Sequence, residues 1–269
     1  MNISSTRVVQ LPVLTALAIG CLAWITRAMG HELIGHGGAC LLVGDTPIAF
    51  NAMYFHGGEA SSFWAGKFRL AGGTIYNVIT ALVCLWWLAR RVDGRSWFTY
   101  FLWITAIMSL LQAGSYVAFG RFVHSETDWA VFLHDLEPAW FWSLAEWIVG
   151  IGLIVAGVVT ARKFEGRFLT SAATKRDKRK LYLVPYFAAV VVSVSASLIV
   201  PSEMRIWMVL GGFGNAFTFM LPMLVLAFVP GSSNHAEQTG AMVQHRGLVV
   251  AGFVCTLLFV FGVGRGITF

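Results

Sequence analysis

Two histidines and a glutamate lie close together near the start of the sequence, in Gly30-His31-Glu32-Leu33-Ile34-Gly35-His36. Histidine nitrogens are common zinc ligands, and a glutamate beside the metal can take a proton from the water that attacks a carbonyl. The grouping predicts a zinc site with His31 and His36 as metal ligands and Glu32 as the general base. The alternative is a helix end at a membrane interface, where these polar side chains form hydrogen bonds and bind no metal.

The two histidines are one residue further apart than in the His-Glu-x-x-His signature of zinc proteases. In an α-helix, positions five apart diverge by about 140°, whereas positions four apart diverge by about 40°. A π-bulge or a break in the helix would return His31 and His36 to one face, and Gly35 tolerates such a turn most easily. On a regular α-helix Glu32 and His36 would share a face, so a Glu-x-x-x-His ligand pair is the competing assignment.

The composition places this motif in a membrane protein. Of the 269 residues 57% are hydrophobic and 12% are charged, with a mean hydropathy of +0.72, whereas a soluble domain carries about a quarter charged residues. Apolar runs of roughly 17 to 25 residues, long enough to cross a bilayer, recur along the chain. The sequence predicts an all-α polytopic membrane protein with a single domain over 1–269. Its metal-site half covers about 8–139 and its helical remainder 140–269.

We predict about seven transmembrane helices in this domain. The first continues through the motif and is too long to cross once without a tilt, a break or a protrusion. A signal peptide over 1–30 is the alternative, but cleavage there would remove most of the span that supports the motif. The four cysteines lie singly in apolar segments, which is typical of core residues rather than zinc thiolates. The predicted spans are approximately 8–28 (continuing helically to 43), 68–89, 97–119, 140–161, 181–200, 206–229 and 247–264.

Charges in the connections predict the orientation of these helices. Segment 162–180 has eight basic residues against two acidic ones, and the 90–96 turn has three arginines against one aspartate. By the positive-inside rule both connections and the N-terminus are cytoplasmic, and the acidic connection 120–139 faces outward together with the metal site. The basic charge therefore indicates topology and a contact with anionic lipids, not nucleic-acid binding. The predicted location is the plasma or inner membrane.

A catalytic zinc ion needs a third protein ligand and an open position for water. Asp128 is our candidate, because it lies on the outer connection, the side to which the first span delivers the motif. The acidic residues of that connection could also form a solvated loop only. In the fourth span, Glu146 is expected to pair with Arg27 or Arg69, or to lie at the interface. The rival ligands on the outer side begin with the histidines His124 and His56, followed by Glu59, Glu126 and His134.

Two known families resemble parts of this sequence. The lengthened motif from His31 to His36 is similar to that of the dipeptidyl peptidase III family, in which both histidines bind zinc and the glutamate is the base. The layout of about 25–135 resembles site-2-protease-like intramembrane metalloproteases, through "GHELIGHGGAC", "GDTPIAFNAMYFHGGEA", "LAGGTIYNVITAL" and "SETDWAVF". The usual Asn-Pro-Asp-Gly motif of those proteases is absent. That resemblance implies that Asn77 binds the substrate backbone, whereas an amide that packs helices among small residues is the alternative.

A short hairpin-like segment is predicted near 45–60, where apolar residues alternate weakly and two glycines follow. An edge strand there would hold an extended substrate by adding it to a sheet.

These features together predict a membrane-embedded zinc (Zn²⁺) metalloprotease. It would hydrolyse peptide bonds of membrane-associated protein or peptide substrates through a zinc-activated water. A zinc hydrolase acting on lipid amides or esters is the first alternative, because the same chemistry would serve. A non-catalytic transporter or scaffold with a structural metal site is the second. A di-iron lipid oxygenase is disfavoured, because the seven histidines do not form the clustered boxes that it needs.

Overall fold

The computed structural model describes residues 12–90, 96–122, 125–169, 173–200, 205–230 and 244–269. Within these ranges seven helices are long and apolar enough to cross a membrane, as the sequence predicted. They are Val13–Leu42, Phe63–Arg90, Trp97–Phe122, Ala139–Glu165, Lys175–Ile199, Arg205–Leu226 and Arg246–Arg265.

The regular elements within these spans show where the helices depart from α-geometry. The first span contains a π-helical segment, Gly30–Gly37, and two later spans contain the π-helical segments Gly214–Thr218 and Leu258–Gly262. The elements in chain order are α1 (Val13–Met29), α2 (Gly38–Leu42), β1 (Pro47–Phe50), β2 (Phe55–Gly57), α3 (Phe63–Arg90), α4 (Trp97–Phe119), α5 (Asp128–Leu133), α6 (Ala139–Glu165), α7 (Lys175–Ile199), α8 (Arg205–Phe213), α9 (Leu221–Leu226), α10 (Arg246–Leu257) and β3 (Ile267–Thr268). Single 3₁₀ turns at Gly120–Phe122 and Val263–Arg265 extend the third and seventh spans.

Helix α4 lies at the centre of the bundle, and nearly all of its residues are buried. It packs against α6, α3 and α1. Small residues allow the close approach: a Cβ added at Gly114 would lie 2.7 Å from the carbonyl oxygen of Gly150. Small residues at helix interfaces are the usual means of packing in a bilayer, where apolar burial alone does not bring helices together. The outer faces of the other helices expose large apolar side chains, as a lipid environment requires.

The first span is held between α4, α7 and α10. Gly20 faces Pro185 of α7, and a Cβ there would lie 2.5 Å from the proline Cα. On another face Ala18 packs against Gly252 of α10, where a Cβ would come within 2.7 Å. This packing on three sides fixes the helix that carries the histidine motif.

The predicted hairpin is present, and it belongs to a three-stranded sheet in the order β2-β1-β3. Strand β1 pairs antiparallel with both neighbours. Asn51 makes the turn, because its Oδ1 accepts hydrogen bonds from the backbone of Met53 at 2.7 Å and of Tyr54 at 3.0 Å. Strand β3, which follows the seventh span, was not predicted. Its neighbour Phe269 stacks on Phe50, with ring centroids 5.8 Å apart.

An ion pair between Asp45 and Arg69 ties this sheet to α3. Arg69 Nη1 donates to Asp45 Oδ2 at 2.9 Å and also to the carbonyl of Gly58 at 2.9 Å. Burial raises the pKa of Asp45, but the hydrogen bonds from Arg69 and Ser61 outweigh it and hold that pKa below its usual range. The carboxylate is therefore charged at neutral pH and fixes the start of the hairpin.

The predicted partner of Glu146 was wrong. Glu146 is buried and pairs with Arg121 at the end of the third span, with 3.2 Å between Arg121 Nη1 and Glu146 Oε2. Arg121 also donates to Ser143 at 2.9 Å. Arg69 is engaged by Asp45 instead, and Arg27 lies elsewhere, in the cavity described below. Sequence alone could not choose among the arginines, because the choice depends on which helices are neighbours.

Several basic residues of segment 162–180 bind the carbonyl ends of other spans. Arg167 donates to the carbonyl of Leu88 at 2.8 Å, and Lys178 donates to that of Val229 at 2.6 Å. Arg162 donates to the carbonyl of Pro230 at 2.5 Å. Cations at helix C-termini satisfy the last carbonyls and the helix dipole. The remaining exposed basic residues are Lys163, Lys175, Arg176 and Arg179.

Candidate metal centre

The π-helical segment Gly30–Gly37 brings the two histidines of the motif together. His31 and His36 are both buried, and their Nε2 atoms lie 3.3 Å apart. A π-helix places about one more residue in each turn than an α-helix, so positions five apart come to one face. This is the backbone shape that shared metal ligation by His31 and His36 requires. The regular α-helix on which Glu32 and His36 would be the pair is absent from this segment.

Asp128, at the start of α5, completes the group. Its Oδ2 lies 3.5 Å from His36 Nε2, and one ligand atom from each of the three residues lies within 4.8 Å of the others. In a tetrahedral zinc site with bonds of about 2.0–2.1 Å, neighbouring ligand atoms are about 3.3 Å apart. The two spacings that involve His36, 3.3 and 3.5 Å, are close to that value, and the ligand atoms of His31 and Asp128 lie within 4.8 Å of each other. Two imidazoles and one carboxylate are also a donor set that suits zinc, with a fourth position left for water.

Hydrogen bonding fixes the orientation of the His36 ring. His36 Nδ1 lies 2.7 Å from the carbonyl oxygen of Arg69. A carbonyl oxygen can only accept, so Nδ1 carries the proton and Nε2 presents its lone pair to the group. Metal-binding histidines are commonly held in this way by a partner on the second nitrogen.

Glycines of α3 allow that helix to approach the motif closely. A Cβ at Gly73 would collide with both imidazoles, and a Cβ at Gly35 would lie 2.6 Å from the Gly73 Cα. The site therefore depends on a contact between two glycine-containing helix faces, and Gly35 is needed for this contact.

A chain of three amides supports His31. Asn77 is fully buried, and its Nδ2 lies 3.0 Å from His31 Nδ1 and 2.7 Å from Gln112 Oε1. Gln112 in turn donates from Nε2 to Asn215 Oδ1 at 3.1 Å. In this orientation the Asn77 Oδ1 is buried without a hydrogen-bond partner among the described residues.

Reversing all three amides pairs that oxygen and moves the Asn77 Nδ2 into the position that the oxygen leaves. Asn77 Oδ1 would then accept from His31 Nδ1 and from Gln112, so His31 Nε2 would carry a lone pair, as a metal ligand must. The same contacts thus serve a metal-binding histidine. The substrate-binding role of Asn77 stays a prediction, whereas its contact with His31 is a feature of the structure.

Tyr116 and Lys67 hold α5, and with it Asp128, against the bundle. Tyr116 OH donates to Asp128 Oδ2 at 2.9 Å and accepts from the Asp128 backbone N–H at 3.1 Å. Lys67 Nζ donates to the carbonyls of Val131 at 2.8 Å and His134 at 2.6 Å, where α5 ends. No spacing rule predicts these contacts, because each joins helices that are distant in sequence.

Glu32 opens onto the same cavity as the three candidate ligands. The cavity has a volume of about 360 Å³, and His31, Glu32, His36 and Asp128 all line it. Its other walls come from the β1–β2 turn, α4, and the sixth span. A half-buried carboxylate next to a ligand group and an enclosed space is the arrangement that a general base needs.

The rival ligands do not join this group. Among the described residues, His31, His36 and Asp128 form the single cluster of three or more groups placed to hold a metal ion. His56 and Glu59 are exposed, and His134 pairs with Asp135 at 2.6 Å. Glu126 is exposed and lines the cavity. His124 lies outside the described residues.

Comparisons of the chain with protein family models, curated proteins and solved structures found no match.

Proposed function

We propose that this protein is a membrane-embedded zinc metalloprotease that hydrolyses peptide bonds of membrane-associated substrates. The observation that carries the proposal is the cluster of His31, His36 and Asp128, whose ligand atoms lie within 4.8 Å of one another on the wall of a cavity shared with Glu32. Ionisable groups at membrane depth are costly, and a cluster of them beside a cavity often marks a functional site.

Each residue has a defined role in the proposal. His31, His36 and Asp128 hold the ion, which when bound would act as a Lewis acid toward a carbonyl and toward water. Glu32 takes the proton from the attacking water and returns it to the amine that leaves. Asn77 and the Arg69 carbonyl orient the two imidazoles, and Tyr116 orients Asp128.

A peptide substrate is favoured because a sheet borders the cavity. Tyr54 and Phe55, at the start of β2, line the cavity next to the candidate ligands. Strand β2 lies at one edge of the sheet. An extended peptide could add to this edge through its backbone, which a lipid cannot do.

The membrane setting is part of the proposal. The chain would lie in the plasma or inner membrane with its N-terminus in the cytoplasm and the metal centre toward the outer side. The exposed basic residues Lys163, Lys175, Arg176 and Arg179 would then contact anionic lipids of the inner face.

Glu32→Gln tests the mechanism. As the base, Glu32 contacts water and not the metal, so the variant should keep about one equivalent of zinc and lose turnover by about 10²-fold or more. The measurements are zinc content by elemental analysis and cleavage of a quenched-fluorescent peptide library in detergent micelles.

Glu59→Gln is the matched control, because Glu59 is an exposed carboxylate that does not line the cavity. It should keep both zinc and activity. Loss of zinc from the Glu32→Gln protein would make Glu32 a ligand instead, and an active, zinc-replete Glu32→Gln protein would refute the mechanism. Hydrolysis of lipid amides or esters by the wild-type protein, without peptide cleavage, would replace the protease by a lipid hydrolase.

A further inference from the structure

Arg27 is a buried cation on the wall of the cavity, with no ion pair to any residue that the structure describes. It lies in α1, only 4% exposed, one helical turn before His31. Its guanidinium carbon lies 4.1 Å from the ring centroid of Trp24. Its Nε and Nη1 atoms have no hydrogen-bond partner, and no ion pair found among the described residues includes Arg27. Glu32 attracts Arg27 electrostatically but forms no ion pair with it. A buried guanidinium normally has its N–H groups paired, and no described residue pairs these, so a bound molecule in the cavity is the partner that the geometry favours.

The charges around the cavity favour an anion as that partner. If a divalent ion occupies the metal centre, the carboxylates of Asp128 and Glu32 balance it. Among the described residues that line the cavity, Arg27 is then the buried cation without an ion pair, while Glu126 lies exposed at the cavity. An arginine presents two parallel N–H donors that match the two oxygens of a carboxylate. The contact with the Trp24 ring restricts the orientation of the Arg27 guanidinium.

We propose that Arg27 binds a carboxylate of the substrate close to the bond that is cleaved. This rests on the proposed function of the metal centre, and it adds the substrate class. One helical turn separates Arg27 from His31, which is about 6 Å along the helix axis. This distance is less than two residues of an extended peptide, because successive Cα atoms are roughly 3.8 Å apart. The carboxylate therefore belongs to a residue next to the cleaved bond. It is either the C-terminal carboxylate of the substrate or an acidic side chain at that position.

Three matched peptides distinguish these two sources. The first has a free C-terminal carboxylate, the second has a C-terminal carboxamide, and the third has an acidic side chain beside the cleaved bond and a C-terminal carboxamide. The wild-type protein should prefer the first or the third over the second by about 10- to 100-fold in kcat/KM, as expected for hydrogen bonds to a charged group. Arg27→Gln should abolish the preference without loss of zinc, and Arg27→Lys should keep part of it.

A binding measurement separates this proposal from the proposed function. The affinities of fluorescently labelled forms of the peptides are measured by thermophoresis on Glu32→Gln protein, with and without Arg27→Gln. The carboxylate preference should appear there even if the protein does not hydrolyse peptides. Arg121→Gln is the matched control, because Arg121 pairs with Glu146 and does not line the cavity; that variant should keep the preference.

Three outcomes overturn the proposal. The first is an equal affinity of the Glu32→Gln protein for the three peptides, and the second is a carboxylate preference that survives Arg27→Gln. The third is competition by short-chain phosphatidylglycerol with no binding of the carboxylate peptides, which would assign Arg27 to lipid headgroups. If Arg27→Gln fails to fold, Arg27→Lys is compared with the wild type instead: it should reduce the carboxylate preference, and a preference as large as that of the wild type would overturn the proposal.

Discussion

At the residue scale, each of the three candidate metal ligands is oriented by a hydrogen bond with a neighbouring residue. His36 is bound through Nδ1 to a main-chain carbonyl, and His31 through Nδ1 to the Asn77 amide. Asp128 accepts a hydrogen bond from Tyr116 on the same oxygen that faces His36. Such supporting groups orient metal ligands and reduce the freedom that must be lost on binding.

Tyr116→Phe tests this support. The variant removes one hydroxyl that fixes Asp128, so zinc affinity should fall by about 10- to 100-fold, the usual effect of losing a supporting hydrogen bond. Zinc affinity is measured by competition with a chelator of known strength.

Tyr182→Phe is the control for this prediction. Tyr182 is also a buried tyrosine that donates to a carboxylate, Glu165, at 2.8 Å, but it does not line the metal cavity. Its loss should leave zinc affinity unchanged. Equal affinities of the Tyr116→Phe and wild-type proteins would show that Tyr116 does not position Asp128.

At the element scale, the contact between the π-helical segment and α3 is decisive. The motif itself predicted a departure from α-geometry, because five-residue spacing cannot serve one metal on a regular helix. It did not predict that Gly35 would face Gly72 and Gly73 of α3, because nothing in the motif specifies its neighbour. Similarly, Asp128 could be chosen for its side of the membrane, but Tyr116 and Lys67 could not be recognised as the residues that hold it.

Gly35→Ala tests the close approach of these two helices. The added Cβ would press on Gly73 Cα at 2.6 Å and Gly72 O at 2.8 Å. Overpacking of this kind costs about 1–3 kcal/mol. The first span should move away from α3, which weakens zinc binding because His36 loses its contact with the Arg69 carbonyl. Thermal unfolding and zinc content are the measurements.

Gly38→Ala is the matched control in the same span. A Cβ at Gly38 meets nothing within 4 Å, and Gly38 is in helical geometry. Alanine in a helix interior is favoured over glycine by about 1 kcal/mol, so this variant should be as stable as the wild type or slightly more stable. A Gly35→Ala protein that behaves in the same way would contradict the argument.

At the scale of the whole molecule, the apolar runs of the sequence were sufficient to predict the class. Seven spans were expected, and the described residues contain seven helices that are long and apolar enough to cross a membrane. This was predictable because length and hydropathy are local properties of each run. The sheet was predicted only in part. Strand β3 is two residues long, and it lies more than two hundred residues after its partner β1 in the sequence. No local sequence pattern therefore predicts it. The amide chain was missed for the same reason, because it joins α3, α4 and the sixth span.

The orientation of the molecule gives the last prediction. Ser125 is exposed in the connection that carries Asp128, and Lys175 is exposed in the basic connection. If the positive-inside rule sets the topology, a membrane-impermeant maleimide should label the Ser125→Cys protein in intact cells and the Lys175→Cys protein only after lysis. The wild-type chain provides the background, because its four cysteines are buried or half-buried in apolar helices. The reverse labelling would invert the topology. Since Ser125 is three residues from Asp128, a reversed topology would also place the metal centre toward the cytoplasm, and substrates would then reach it from the cytoplasm rather than from outside.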